Sequence, residues 1–150
     1  MNRRIILALG VAMLAPVGLA HADDTVTIGV LAELSGPGAP SGTNWRDGTR
    51  IAVEEINADG GILGKKVKAN EYDTQTDPQV SRALAQKAID EGAYAIWGTV
   101  YSGSTIVNML VAQQNSVPQF TGSEAPAIVE KGNPFIFRTS SGAQKGVPSL

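Results

Sequence analysis

The sequence predicts an α/β fold, a doubly wound and mostly parallel sheet. A nearly continuous apolar run, VTIGVLA over residues 26–32, has the character of a strand covered on both faces. Segments of helical period then alternate with short β-rich segments, and glycines or Asp-Pro pairs stand at the junctions. Repeated strand–helix–strand units with short links imply parallel pairing and right-handed crossovers.

The first strand, residues 26–32, is expected to lie centrally. The turn-rich stretch SGPGAPSG (35–42) follows it. Trp45, Gly48, Ala52 and Ile56 then mark one face of a helix that stops at Asp59, Gly60 and Gly61. Residues 66–72 alternate loosely, with Val67, Ala69 and Tyr72 among Lys68, Asn70 and Glu71, which predicts a peripheral strand with solvated lysines. Asp77 and Pro78 predict a helix start: Asp caps free N–H groups, and Pro stands in the first turn where its missing donor is harmless. Val80, Leu84 and Ala88, with Ala83 and Ile89 alongside, are the expected buried face, and Gly92 the end. The remaining elements are a strand at 93–98, a helix at 102–115, a strand at 117–121, a short helix at 124–130 and a strand at 135–139.

Composition narrows the chemistry. In 150 residues there is no cysteine and one histidine, so disulfides, thiolate nucleophiles and sulfur-based zinc sites are excluded. Twelve basic against 14 acidic side chains give no basic field suited to a phosphate backbone, and nucleic acid is not an expected partner. No cofactor or metal is expected. Residues 1–22 read as a secretory signal peptide: Arg3 and Arg4, a short apolar run to Leu14, Pro16 and Gly18 interrupting it, and small residues around His21, with cleavage between Ala22 and Asp23. The run is too short to span a bilayer. Cleavage removes the only histidine, so neither a Ser-His-Asp triad nor a histidine metal site can form in what remains.

In an open parallel sheet, ligands settle beyond the C-terminal ends of the strands. Three loops qualify: 33–42, 99–105 and 122–124. Gly36 and Gly38 fail the dinucleotide fingerprint, because Ser41 stands where its third glycine belongs and Asp73 lies too far along the chain. The second loop gathers Tyr101, Ser102, Ser104 and Thr105 at a helix start, an arrangement suited to a carboxylate. On spacing alone, Ser102 either only caps that helix or caps it and also meets ligand. At the third loop, Ser123 and Glu124 fit a cap and a first-turn acid, and Glu124 could equally hold an ammonium group. Glu33 also stands at a strand end and with Glu124 can be imagined as an acid–base pair, which leaves a secreted carboxylate-dependent enzyme as the alternative class.

Taken in order, these segments resemble the substrate-binding proteins of ABC transporters, in particular the leucine/isoleucine/valine-binding, type I periplasmic family. The resemblance rests on residues 26–37, on Gly48 with AVEEINADGGILG (52–64), on Tyr72, Asp73, Asp77 and Pro78, and on Gly98 followed by SGST at 102–105. It implies a non-enzymatic, monomeric periplasmic receptor whose two lobes close on a small ligand and deliver it to an inner-membrane permease; a related version is an extracellular ligand-sensing domain. It also implies that Ser102 holds a ligand carboxylate. Gly122, Ser123 and Glu124 would meet its amino and carboxylate groups, and Ser41, Val100 and Tyr101 would line the side-chain pocket. Some relatives carry a disulfide between positions matching Thr76 and Tyr101, and an aromatic residue where Pro40 or Ser41 stands. The third loop is one residue shorter, with Glu124 near a usual threonine. These departures leave amino acids, amides and aromatic acids all open as ligands. By the same resemblance, residues 23–139 are an N-terminal lobe, and 140–150 the crossover and start of a second lobe that is largely missing, so that the chain would be a fragment.

Overall fold

The computed structural model describes residues 25–130 and 132–142. The predicted signal peptide, its cleavage site at Ala22 and Asp23, and the crossover beyond residue 142 lie outside them. The elements run β1 (Thr25–Ala32), α1 (Ala39–Ala58), β2 (Lys66–Asp73), α2 (Pro78–Asp90), β3 (Ala95–Trp97), α3 (Ser102–Gln114), β4 (Gln119–Thr121), α4 (Ala127–Glu130) and β5 (Ile136–Arg138). The strands form one sheet in the order β2-β1-β3-β4-β5, and every pairing is parallel. The α/β class and the peripheral place of β2 are as the sequence predicts. The middle strand of the five is β3, and β1 lies between it and β2.

Period-two alternation divides the sheet. Leu31, Ile96 and Ile136 point to the face covered by α2, α3 and α4, where they join Ala85, Ala88, Val111, Met109 and Ile128 in two buried clusters. Val26, Ile28, Ala95, Trp97 and Phe120 face the other way, toward α1.

Three local expectations change. Helix α1 begins at Ala39, inside the stretch expected to be a turn, because Pro40 suits a first helical turn, where no N–H is needed. Helix α4 is a single turn from Ala127, so Glu124 precedes it and Ser123 does not cap it. On α2 the fully buried positions are Ser81, Ala85 and Ala88, whereas Ala83 is exposed. These small side chains let α2 approach α3, and Asn108 of α3 donates to the Ser81 hydroxyl at 2.8 Å in that contact. The cap at Asp77 forms as expected, accepting from the Gln79 and Val80 N–H groups at 2.7 and 3.1 Å.

Candidate functional site

The C-terminal ends of β1, β3 and β4 surround a cavity of about 510 Å³ lined by Ser41, Val100, Tyr101, Ser102, Gly103, Gly122 and Glu124. Ser41 reaches it from the first turn of α1. That turn sits directly on the chain leaving β1: a Cβ added at Gly42 would lie 2.2 Å from the Glu33 carbonyl oxygen, so only glycine fits there. The loop between β1 and α1 is pinned by Asp73, whose Oδ1 accepts from the N–H groups of Leu34, Ser35 and Gln75 at 2.9, 3.1 and 2.9 Å. Burial opposes ionisation of Asp73, but these donors outweigh it and hold its carboxyl below the usual aspartate range. Thr76 adds a second tie, donating to the Ser35 carbonyl and accepting from the Gly38 N–H.

The second wall is the β3–α3 loop. The N-cap of α3 is Tyr101 and no side chain caps it, so the first-turn N–H groups keep the positive end of the helix dipole open toward the cavity. Ser102 is therefore not a cap. It is the first helical residue, and its Oγ accepts from the Ala125 N–H at 3.3 Å, tying this wall to the third loop. Beneath the loop lies a cluster of buried hydroxyls that sequence reasoning missed. Thr105 Oγ1 stands 3.0 Å from Thr99 Oγ1, 3.0 Å from Thr121 Oγ1 and 2.7 Å from Ser123 Oγ. Thr121 donates to the Thr99 carbonyl at 2.7 Å, and Ser123 to those of Thr99 and Val100. Ser123 is thus fully buried inside this framework and does not line the cavity. A sequence signal was present all the same, since each of β3 and β4 is followed or ended by threonine and serine.

The third wall is held at both ends. Arg138 Nη1 donates to the Glu124 carbonyl at 2.8 Å, leaving the Glu124 side chain exposed at the rim. Gly122 rests on the Trp45 ring, where an added Cβ would approach to 2.8 Å. Glu33, by contrast, is fully buried and does not line the cavity. The structure therefore does not present Glu33 and Glu124 to a common substrate space as an acid–base pair.

A family described as periplasmic binding protein matches residues 25–150. The chain belongs to that family. Among relatives of this periplasmic binding protein, a Leu/Ile/Val-binding protein of Rhizobium johnstonii is 37% identical over 140 residues, 93% of this chain and 38% of the relative. A leucine-, isoleucine-, valine-, threonine- and alanine-binding protein of Pseudomonas aeruginosa is 33% identical over 91% of this chain and 36% of its own length. Among solved structures, the branched-chain amino acid transporter substrate-binding protein LivJ of Streptococcus pneumoniae, in complex with isoleucine, superposes with a TM-score of 0.76 at 28% identity, over 79% of this chain and 34% of that one. The chain thus spans well under half the length of the relatives it matches.

A second, larger concavity of about 760 Å³ lies on the α1 face of the sheet, among Trp45, Ile56, Ile62, Tyr94, Trp97 and Phe120. Its lining is nearly all apolar, and it lies along the face of the sheet, reaching Trp97 at the end of β3. Convergent polar groups are what orient a small polar molecule in a pocket, and of these two concavities the smaller has them.

Proposed function

We propose that this chain supplies the N-terminal half of the ligand site of a periplasmic receptor for an ABC-type uptake system. The receptor binds a free amino acid between two lobes and delivers it to an inner-membrane permease. One observation carries the reading: a single cavity brings together the uncapped N-terminus of α3, the Ser102 hydroxyl and the Glu124 carboxylate. Those are the groups needed by a molecule with a carboxylate at one end and an ammonium at the other. In this reading Ser102 and the first-turn N–H groups hold the ligand carboxylate, Gly122 and Glu124 meet its amino group, and Ser41, Val100 and Tyr101 bound its side chain. Ser123 acts indirectly, by holding the loop carbonyls. Residues 1–22 are a cleaved export signal, 23–139 the lobe and 140–150 the crossover, and the receptor works as a monomer without turnover. The names of the relatives favour a branched aliphatic side chain.

The test is calorimetric titration with L-leucine, L-glutamine and benzoate. Leucine is expected to bind best, and Ser102→Ala to weaken it at least about tenfold, the usual cost of a lost hydrogen bond to a charged group. Equal affinity in Ser102→Ala and in Tyr101→Gly would remove the β3–α3 loop from the site. Consumption of any of these compounds would overturn the non-enzymatic reading.

A further inference from the structure

We propose that Glu33 is a positioning residue: its buried carboxylate, wedged between two walls of the cleft, holds the Val100 and Tyr101 N–H groups and so sets the shape in which the β3–α3 loop meets a ligand. The ligand part of this statement rests on the reading of the cleft given above.

The geometry is specific. Glu33 follows the last residue of β1 and is 0% exposed. Its Oε2 accepts from the Val100 N–H and its Oε1 from the Tyr101 N–H, each at 3.4 Å, so that successive amides share the two oxygens of one ion. Both contacts are long for N–H···O bonds, and longer than is usual for bonds to an ion, so each is a loose hold. On its other side, a Cβ at Gly38 would come within 3.0 Å of the Glu33 Cβ, and Gly42 packs on the Glu33 backbone. The turn that presents Ser41 and the loop that presents Val100 and Tyr101 therefore meet on one side chain.

Among the described residues no cation forms an ion pair with this carboxylate. Arg46 on α1 pairs with Asp47 at 2.7 Å. Asp73 at the end of β2 is occupied by three backbone N–H groups, and Asp77 caps α2. Tyr101 and Glu124 stand at the exposed rim. Among the described residues none of these forms an ion pair with Glu33. Burial pushes its carboxyl up from the usual glutamate range, against the N–H groups of Glu33 itself, Val100 and Tyr101 and the Thr99 hydroxyl.

The sign follows. A raised folded-state value means that the native protein takes up this proton more readily than the unfolded chain. Keeping the ion buried therefore costs stability at neutral pH, and the cost is relieved as pH falls through the raised value. Protonation also turns one oxygen from acceptor to donor in front of an N–H and removes the charge from the other contact, which weakens the hold on the loop. Mild acid should therefore loosen the cleft without unfolding the protein through this group.

The experiment is an amide nitrogen–proton NMR titration of the full chain and of Glu33→Gln from pH 8 to pH 4. The Val100 and Tyr101 amides are expected to shift together with one midpoint above 4.5, the ordinary value for Glu33, and the variant to lose that midpoint. Shifts that survive in Glu33→Gln, or that follow an ordinary surface carboxylate, overturn the proposal. Should the variant fail to fold, carboxyl carbon shifts of Glu33 in the unmodified chain must share the midpoint of the two amides, and a different midpoint overturns it. Leucine affinity, measured with and without Glu33→Gln in a receptor that carries both lobes, separates the two ideas. It should fall below the midpoint, by at most about tenfold per pH unit, and only where Glu33 is unmodified. Coupled amides without leucine binding would sink the reading of the cleft and leave the positioning role standing. Leucine binding of equal strength at every pH would do the reverse.

Discussion

The polar cavity at the strand ends and the apolar groove on the sheet face are built on opposite principles. At the strand ends, the smaller cavity is polar, and every wall is fixed from below: Asp73 pins the first loop, Glu33 and the hydroxyl cluster pin the second, and Arg138 and Trp45 pin the third. On the sheet face, the larger groove has an aromatic row, with Trp45 stacked on Trp97, Trp97 against Phe120 and Phe120 on Phe137 at centroid separations of 5.4, 5.7 and 5.2 Å. Several of its residues remain open to solvent: Ile62, Leu63 and Tyr94 are exposed, as is Phe137 at the end of the aromatic row. Size and apolar character alone would choose the groove as the binding site. The cleft is better supported because its orienting groups are preorganised, and preorganisation rather than volume is what makes a small polar solute bind.

Substitutions can break or sharpen this contrast. The largest effect is expected from Gly42→Val, which drives a side chain into the Glu33 backbone. It should lower stability by about 3 kcal/mol or more in urea unfolding, at the upper end for overpacking, and a soluble protein with an unchanged midpoint would mean that the first wall is not rigid. Next comes Thr105→Val, which keeps the shape but removes the hydroxyl shared by Thr99, Thr121 and Ser123. Its expected cost is about 2 kcal/mol, the penalty of leaving buried polar groups without a partner. Smallest is Phe137→Ala at the end of the aromatic row. Although it deletes a whole ring, that ring is half exposed, so about 1 kcal/mol is expected, well short of the cost in a closed core. If this last change cost more than Thr105→Val, the groove would be the better-packed region and the contrast would fail.

Much of the fold was legible because its signals are local. The apolar run of β1, the Asp77-Pro78 start of α2 and the glycine stop at Gly92 each act within a few residues, and strand ends located the three loops. What was not legible depends on contacts between distant segments. Pro40 and Gly42 read as turn residues because nothing nearby reveals that Gly42 must fit against Glu33. Ser102 read as a potential cap, but the residue that donates to it, Ala125, belongs to another loop. The hydroxyls of Thr99, Thr105, Thr121 and Ser123 converge from β3, α3 and β4, so no window of sequence contains the cluster. Glu33 could be seen at a strand end, but its burial is produced by a loop that folds over it almost seventy residues later.

The chain's two tryptophans both belong to the stacked pair at the head of the aromatic row, with planes inclined by 23°. Their transitions are close enough to couple, and no third indole dilutes the signal. Because the Trp45 ring lies directly under Gly122, at the rim of the polar cleft, the intrinsic emission and the exciton couplet of this pair form a built-in optical gauge of third-loop position, readable without any added label.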